Sequence, residues 1–581
     1  MKKKQAGILS IRALNQYRTR DVLTYLGLRY YLENLAAQTD AWARKVSTDL
    51  VLTRSSAAYF QTHHFKEYTN SGQISHRKMF LPGANEALAE AALIDECSKF
   101  SIFSNPDWVY SYRLTTGKNL SGIFVPYMAG FRDRHNDIAR ACERYSSGVV
   151  QYTDIKQFYS SIKIDLAYQT WRRKAGSAGL SEEYRDLGEK LIENHSQAFN
   201  QNDNSILTGP AFSHLLGNLV LRELDEKSFS ELPAKYFRYV DDIVLVGNES
   251  EVAQSVDILR ERLSDLGLNL HDNSSQKSFK VPTNEWLRGR KDFHESFPPN
   301  SWANFIWNLK KFLLLNHGLF EKLQDDFRNE GFRIPLQDYR EKIQELNFLE
   351  RCKTLTHYSW FRFQAKAISI QSLLSQARDL RGRYEKEFYD FMEDTERASS
   401  KFEYKRCIPK LRYRAGRLIY LATDEQLRHL YSVSDRLSDL QFHSQVMKAV
   451  ANKNIDDLLL MGSNAAQAAA QPIRALGSRV SCSLQDFDEI TGQGLAVFYL
   501  NGVTVDLPNG ESTRNSELIR FAKDGSDISL MKSTNPFIQE ISCLHGLAEK
   551  PRHPDILSSV FDMNEELVWD AIDQFQRYES L

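Results

Sequence analysis

The chain has 581 residues, a length that corresponds to roughly three or four domains at about 150 residues each. Its 74 Lys and Arg balance 75 Asp and Glu, and a net charge of −1 argues against a histone-like or ribosomal protein with a wholly basic surface. A basic channel offset by acidic faces elsewhere stays compatible with this balance. Hydrophobic residues make up 42% of the chain, which is enough for a large core and excludes wholesale disorder.

Cysteine spacing and hydropathy favour a cytoplasmic protein. The two cysteines closest in sequence, Cys97 and Cys142, are too far apart for a zinc knuckle or a dense disulfide framework. We therefore expect buried thiols in a reducing compartment. The basic start resembles that of a signal peptide, but polar residues such as Arg12 interrupt the segment after it. No run of about 18 apolar residues is present, so we expect no membrane span.

Hydrophobic periodicity predicts the elements along the chain. An amphipathic helix is expected over 88–95, and the strongest strand signals lie in 149–282. The pattern then turns almost wholly helical over 302–461. Within that region, apolar residues recur at helical spacing in 305–327, 336–352, 360–391 and 414–431.

The last part of the chain predicts a small separate module. Residues 462–477 are the best linker candidate, although their alanine run is equally compatible with one helix. A β-hairpin is predicted over 497–505, because Asn501 and Gly502 favour a tight primed turn between two strand-like runs. A final helix is expected over 565–578.

The most informative segment, 235–247, predicts a β-hairpin with two carboxylates at its tip. Strand-like runs over 236–240 and 243–246 are separated by Asp241 and Asp242. A lone pair of aspartates is usually a solvated turn. Here the surroundings are apolar, so adjacent carboxylates repel each other unless a cation lies between them. Oxygen ligands of this kind are those that Mg²⁺ prefers.

Two upstream segments complete the pattern. Asp154 ends a short strand, and three carboxylates from two neighbouring strands can hold two metal ions about 4 Å apart. Between these segments, Gly209 and Pro210 precede apolar residues at helical spacing, which predicts a helix start with proline at its first position. The glycine allows the backbone to approach a phosphate or a base closely.

Taken in order, these segments resemble the palm of reverse transcriptases over roughly residues 75–285. They read Asp154-x4-Tyr159, then Gly209-Pro210-x2-Ser213, then Tyr239-x-Asp241-Asp242. The resemblance implies an α+β fold with right-hand polymerase fingers and palm, an antiparallel sheet with helices, followed by a mainly α-helical C-terminal half. It implies an RNA-directed DNA polymerase that transfers dNTPs with two Mg²⁺ ions, or with Mn²⁺ in their place.

The resemblance also implies roles for individual residues. The metal ligands would be the three aspartates and the backbone carbonyl of Ile155. Tyr159 stands where the family places its steric gate, an aromatic ring that excludes a 2′-hydroxyl and so selects deoxynucleotides. The remaining residues implied to contact the nucleotide are Phe158, Gly209, Pro210 and Ser213. Thr208 stands where the family usually has glutamine, which weakens the expected template contacts.

Basic residues have weaker expectations. Lys277 resembles the palm lysine that protonates pyrophosphate, with a solvated loop lysine as the alternative. Arg77, or Lys78 in its place, resembles the fingers arginine that grips the triphosphate. Nucleic-acid contacts are predicted for Tyr239 and for a basic, tyrosine-interleaved run that is equally typical of a solvated face. The residues expected from that run are Lys410, Arg412 and Arg414.

The architecture narrows the type of reverse transcriptase. No RNase H set, Cys/His endonuclease cluster or Val-Thr-Gly retron signature is evident, and the long helical half resembles bacterial abortive-infection and defence-associated enzymes. A likeness to a type 3 two-polymerase defence system is less specific. The implied partners are an RNA template or noncoding RNA, a DNA product, dNTPs, a second reverse transcriptase or other defence protein, and further copies of the chain, with no membrane.

This resemblance divides the chain into four parts and leaves two alternatives. The parts are an N-terminal extension with fingers over 1–148, a palm over 149–290, a thumb-replacing helical domain over 300–461 and a C-terminal module over 478–581. One alternative is template-independent or protein-primed DNA synthesis by the same site. The other is a non-catalytic RNA-binding scaffold of a defence complex, which has no need to keep three metal carboxylates together.

Overall fold

The computed structural model is an α+β protein in which helix predominates. It describes residues 51–53, 59–69, 71–115, 123–125, 127–198, 204–272, 277–296, 301–336, 368–477, 479–508, 516–534, 538–539 and 542. The chain divides into a first unit, Met1–Gln61 with Lys78–Ser296, and a second unit, Thr62–Arg77 with Phe297–Leu581. The helix predicted over 565–578, and all but the first residue of that predicted over 336–352, lie outside the described residues.

The first unit combines a small antiparallel sheet with helices. Strands β1 and β2 pair with each other, and their residues are divided between the two units, so they are named here with the first. The elements are α1 (Val51–Thr53), β1 (Tyr59–Tyr68), β2 (Ile74–Pro82), α2 (Ala84–Cys97), α3 (Tyr127–Arg144), β3 (Val149–Asp154), α4 (Phe158–Ser161), α5 (Ile164–Ala178), α6 (Glu182–Ala198), α7 (Ala211–Glu231), β4 (Lys235–Tyr239), β5 (Asp242–Gly247), α8 (Glu249–Asp265), β6 (Phe279–Pro282) and α9 (Thr283–Ser296). The helix predicted over 88–95 is α2.

The central sheet of the first unit has the strand order β4-β5-β3-β6, and every neighbouring pair is antiparallel. The residues of β5 after Asp242 are all buried, as expected for an apolar strand with a neighbour on both sides. The pairing register runs from Val149 opposite Gly247 to Asp154 opposite Asp242. The C-terminal end of β3 therefore lies beside the N-terminal end of β5, and an aspartate occupies each of these two ends.

Helix α7 lies at the centre of the first unit's core. Most of its residues are buried, and Phe212, Leu216 and Leu221 are completely so. It begins at Ala211, and Pro210 is its N-cap, one residue earlier than the helical position that the sequence predicts. A helix that is apolar on nearly all sides is expected only inside a core.

The second unit is almost entirely helical and has its own hydrophobic core. Its remaining elements are α10 (Ser301–Leu315), α11 (Phe320–Asn329), α12 (Ile370–Glu396), α13 (Lys401–Leu421), α14 (Asp424–Ser434), α15 (Gln441–Asn452), α16 (Asp456–Leu460), α17 (Ser463–Leu476), β7 (Arg479–Ser481), α18 (Glu489–Leu500), β8 (Thr504–Asp506) and α19 (Ser516–Asp524). The helix predicted over 414–431 is interrupted, because Thr423 and Gln426 form a capping box that begins α14.

Two predictions for the end of the chain are settled by these elements. Residues 462–477 are not a linker: the alternative is confirmed, since Ser463–Leu476 form helix α17 with most of its alanines buried. The hairpin over 497–505 is wrong. Asp488 caps helix α18 through the amide of Thr491 at 2.9 Å, and the helix continues to Leu500. Asn501 and Gly502 end the helix, with Gly502 at φ +70°, and β8 pairs in parallel with β7.

Among the helices of the described residues, none is both long and apolar enough to cross a membrane.

Candidate active site

Two of the predicted aspartates face each other at one end of the central sheet. Asp154 is the last residue of β3 and Asp242 the first of β5, and the antiparallel register pairs them. The amide of Ile155 donates to the carbonyl of Asp241 at 3.1 Å, which ties Asp241 to the same edge. The fold therefore gathers three carboxylates and the Ile155 backbone at one place.

The turn that carries these aspartates is strained. Its two residues are Val240 and Asp241, one position earlier than the Asp-Asp turn that the sequence predicts. Val240 has φ +55°, a left-handed conformation that a β-branched residue rarely adopts. Its amide donates to Ser111 Oγ at 2.7 Å, and its carbonyl accepts from Arg238 Nη1 at 2.8 Å. Both backbone groups of the strained residue are therefore fixed by neighbours.

A buried ion pair holds Arg238, the residue that donates to the Val240 carbonyl of this turn. Arg238 and Asp225 have side-chain exposures of 0% and 1%. Arg238 donates from Nε to Asp225 Oδ1 at 2.7 Å and from Nη2 to Oδ2 at 2.6 Å, a two-pronged contact. Tyr236 donates its hydroxyl to Asp225 Oδ1 at 2.7 Å. Sequence reasoning missed this network, because Asp225 comes from a helix and Arg238 from a strand.

The carboxylates repel one another. Burial, together with the charges of Asp154 and Asp242, raises the pKa of Asp241 to about 7, and Lys277 opposes the rise. Asp154 is buried, and Lys277 Nζ donates to its Oδ2. His271 Nε2 lies 3.5 Å from the same oxygen, and burial lowers the pKa of that histidine. The edge thus concentrates negative charge that one lysine partly offsets.

Lys277 is the predicted residue whose position is most informative. It reaches Asp154 although its own side chain is 51% exposed, so its ammonium bridges the carboxylates and solvent. Among the described residues, no group of three or more His, Cys, Asp and Glu side chains is arranged as ligands of a metal ion. Lys277 pairs with Asp154 Oδ2, an oxygen that a cation bound there would need.

No protein-family model matches this chain, and no curated protein matches it either. The sheet edge offers three carboxylates, a lysine and a histidine, and its members are as far as 123 residues apart along the chain, as are Lys277 and Asp154. Their grouping is a property of the tertiary fold.

The predicted nucleotide residues fall into two groups. Phe158 and Tyr159 begin helix α4, directly after the sharp turn at Gln157, whose φ is +48°. Phe158 is buried, whereas Tyr159 is half-buried and shares a hydrogen bond with His214 Nδ1 at 2.6 Å. The sequence analysis did not single out His214.

The second group has a packing role in this structure. Gly209, Pro210 and Ser213 are all buried. Gly209 has φ +129°, and a Cβ there would lie 2.3 Å from the carbonyl oxygen of Phe80, so the close approach that requires glycine is to protein backbone. These three residues are predicted to line the nucleotide, and in this structure none of them is exposed at a surface.

The N-terminus of α7 is already matched by a carboxylate. Glu90 is buried, and its Oε2 accepts from the amide of Phe212 at 3.1 Å. Its Oε1 accepts from the hydroxyl of Tyr59 at 2.8 Å. Because an anion at this end interacts favourably with the helix dipole, Glu90 takes the place that a phosphate would have. A buried glutamate inside α2 carries no sequence signal for this contact.

An aromatic group lies beside the aspartates. Tyr239 is buried and donates its hydroxyl to the carbonyl of Tyr127 at 3.4 Å, so it is not itself exposed to nucleic acid. The ring of Tyr127 is 59% exposed and stacks on Phe131 with centroids 5.7 Å apart. Arg134 donates to the carbonyl of Asp242 at 3.4 Å. Sequence reasoning missed Tyr127 and Arg134, which belong to α3 and not to a recognisable motif.

The remaining predicted residues lie elsewhere. Arg77 and Lys78 are exposed on β2, where the chain passes from the second unit to the first. In the second unit, Lys410 and Arg414 are buried: Arg414 Nε donates to Glu387 at 2.8 Å, and Lys410 lies over the ring of Phe391. Arg412 is half exposed and pairs with Asp439. The charges of Lys410 and Arg414 are enclosed by the core of α12 and α13, and their contact with nucleic acid stays a prediction.

Proposed function

We propose that the chain is a nucleotidyltransferase, an RNA-directed DNA polymerase of bacterial antiphage defence that works in the cytoplasm. The observation that carries the chemistry is the meeting of Asp154, Asp241 and Asp242 at the end of adjacent antiparallel strands. The defence role rests on the resemblance to defence-associated enzymes and on the mainly helical second unit. Its partners in this proposal are an RNA, the DNA product and dNTPs.

The donor set suits two Mg²⁺ ions. Carboxylate and carbonyl oxygens are hard ligands, and Asp154, Asp241, Asp242 and the Ile155 carbonyl supply them. Burial, and then the charges of Asp154 and Asp242, raise the pKa of Asp241, and a divalent cation would stabilise its ionised form. When bound, such ions activate a 3′-hydroxyl and stabilise the charge of the departing pyrophosphate. Asp154 would first have to release Lys277.

The protein's own groups have separable tasks in this proposal. Asp154 and the Asp241–Asp242 turn hold the cations, and the Arg238 and Ser111 contacts keep that turn in its strained form. Lys277 Nζ carries a proton beside Asp154 and donates it to the leaving pyrophosphate. Tyr159 lies against the sugar and excludes a 2′-hydroxyl.

Primer extension tests the proposal. Purified protein receives an RNA template with a DNA primer, dNTPs and Mg²⁺, and a parallel reaction receives single dNTPs without RNA. We expect synthesis that EDTA stops and that Asp241→Ala with Asp242→Ala lowers by at least about a thousandfold. The matched control is Asp325→Ala with Asp326→Ala, another adjacent pair, in α11 of the second unit, which should keep full activity.

The outcomes separate the proposal from its alternatives. Synthesis without RNA would favour the template-independent or protein-primed enzyme over the RNA-directed one. Absence of synthesis by the wild type in every reaction would contradict the polymerase. In cells challenged with phage, protection that survives the Asp241 and Asp242 substitutions would favour the non-catalytic scaffold.

A further inference from the structure

The ring of Tyr159 is held by a histidine. The Tyr159 hydroxyl and His214 Nδ1 are 2.6 Å apart and share a hydrogen bond. The two rings also meet edge to face, with centroids 5.3 Å apart and an angle of 64° between their planes. His214 is only 3% exposed, so this bond lies where water competes poorly for it.

His214 is itself fixed on its other face. Tyr112 stacks on it with centroids 3.8 Å apart and planes within 6° of parallel. Tyr112 has φ +49°, a left-handed conformation that costs energy in a bulky residue and persists only where the surroundings enforce it. Phe124 meets His214 edge-on at 6.2 Å. The imidazole therefore has one orientation available to it.

The helix that carries His214 also packs closely against the Tyr159 ring. One turn along α7 is Gly217, where a Cβ would lie 2.9 Å from the Phe158 ring and 3.5 Å from that of Tyr159. A side chain at this position would push the α4 aromatics away from the helix. His214 and Gly217 thus hold Tyr159 from two sides, one by a hydrogen bond and one by allowing close approach.

We propose that His214 is a positioning residue that sets the sugar specificity of the site by tethering the Tyr159 ring. The inference rests on the proposed function. A gate ring excludes a 2′-hydroxyl only if it cannot swing aside, and swinging aside would break a buried hydrogen bond. The substrate class selected is the 2′-deoxynucleoside triphosphate, and the ribonucleoside triphosphate is rejected.

The test measures kcat/KM for a dNTP and for the matching NTP in primer extension. His214→Ala should lower the dNTP-to-NTP ratio by about tenfold, mainly because NTP use rises while the KM for dNTP changes little. Tyr159→Phe, which keeps the ring and loses the hydroxyl, should lower the ratio by a similar factor. The double variant should lose little more, because both changes remove the same bond.

Two further variants separate positioning from general damage. His214→Asn places an amide group close to the position of Nδ1, where it is able to bond the hydroxyl, and should restore most of the ratio. His195→Ala removes another fully buried histidine, which packs on Phe212 of the same helix, and should leave the ratio unchanged. A wild-type ratio in His214→Ala, with dNTP synthesis intact, overturns this inference and leaves the proposed function standing. Absence of synthesis by the wild type overturns both.

Discussion

At the scale of single residues, Asp241 is the carboxylate of the site whose ionised form is disfavoured by burial and by charge repulsion. Its carboxylate stands next to two others, and its pKa is raised to about 7 by burial and by the neighbouring charges. In the unfolded chain Asp154 is remote and water screens the charge of the adjacent Asp242, so the carboxyl of Asp241 has an ordinary pKa of about 4. Between these two values the folded state binds the proton more tightly, and stability therefore falls as the pH rises from about 4 to about 7.

Asp241→Asn should therefore stabilise the protein when divalent cations are absent. We expect a gain of about 2 kcal/mol at pH 8 in EDTA and almost none at pH 4, because the amide carries no charge at either pH. Added Mg²⁺ should raise the Tm of the wild type more than that of the variant. Thermal unfolding at the two pH values measures this. Asp325→Asn, on α11 in the second unit, should show no pH-dependent gain, and equal gains in both variants would contradict the charge cluster.

Tyr159 carries the second prediction at this scale. Tyr159→Ala removes the ring that is proposed to meet the sugar, so NTP incorporation should rise by about tenfold or more relative to dNTP. Because Tyr159 is only half-buried, the folded protein should survive the change. Single-nucleotide incorporation with paired dNTP and NTP substrates measures the ratio. Unchanged sugar selectivity would exclude Tyr159 as the gate.

At the scale of elements, the start of α7 depends on one backbone approach. The chain enters the helix through Gly209, which combines a left-handed φ of +129° with a carbonyl of Phe80 placed where a Cβ would be. The amide of Phe80 in turn donates to the carbonyl of Thr208 at 2.8 Å. This clamp joins β2 to the helix that carries His214, so it positions that histidine as well as the core.

Gly209→Ala should destabilise the protein by about 2–4 kcal/mol, because it adds both backbone strain and a steric clash. The matched control is Gly176→Ala in α5, where nothing lies within 4 Å of the new Cβ. That change should stabilise by about 0.5–1 kcal/mol, since alanine loses less conformational entropy in a helix. Urea unfolding of the two variants compares them. Equal effects at both positions would contradict the close approach of Phe80.

At the scale of the whole molecule, the described residues form a hydrophobic core in each unit. Each unit encloses a histidine held neutral by burial. His195 in α6 has no hydrogen-bond partner at either ring nitrogen within the described structure, and burial lowers its pKa to about 3. His443 in α15 has its pKa lowered to about 4, chiefly by burial. Histidine in the unfolded chain has a pKa of about 6.5. As the pH falls below that value, the unfolded chain binds protons that the folded protein does not, so the folded protein becomes less stable.

Acid should therefore unfold each unit through its own histidine. His195→Leu should stabilise the first unit by about 2 kcal/mol more at pH 5 than at pH 8, and His443→Leu should do the same for the second unit. Calorimetry resolves the units if they unfold in separate transitions, and hydrogen exchange identifies which unit has shifted. A gain that is equal at the two pH values would mean that cavity packing, and not titration, decides the effect.

Much of the fold and part of the site follow from local patterns. The aspartate-tipped hairpin at β4 and β5, the strand before Asp154 and the helix after Pro210 all have signals within a few residues. A prediction from such signals fails where one dipeptide is compatible with two different local structures. Asn501 and Gly502 suit a hairpin turn and a helix end equally well, and the capping box at Asp488 decides for the helix.

The sequence by itself determined the order of three aspartates, a tyrosine and a lysine that resembles a polymerase palm, and it predicts that these residues bear the chemistry. Only the tertiary structure decided what those residues touch. Lys277 lies on Asp154, Arg238 clamps the turn through Asp225, and His214 holds Tyr159. The charges of Lys410 and Arg414, by contrast, are enclosed within the second unit. These pairings join separate segments of the chain, and packing, which no local pattern encodes, selects among them.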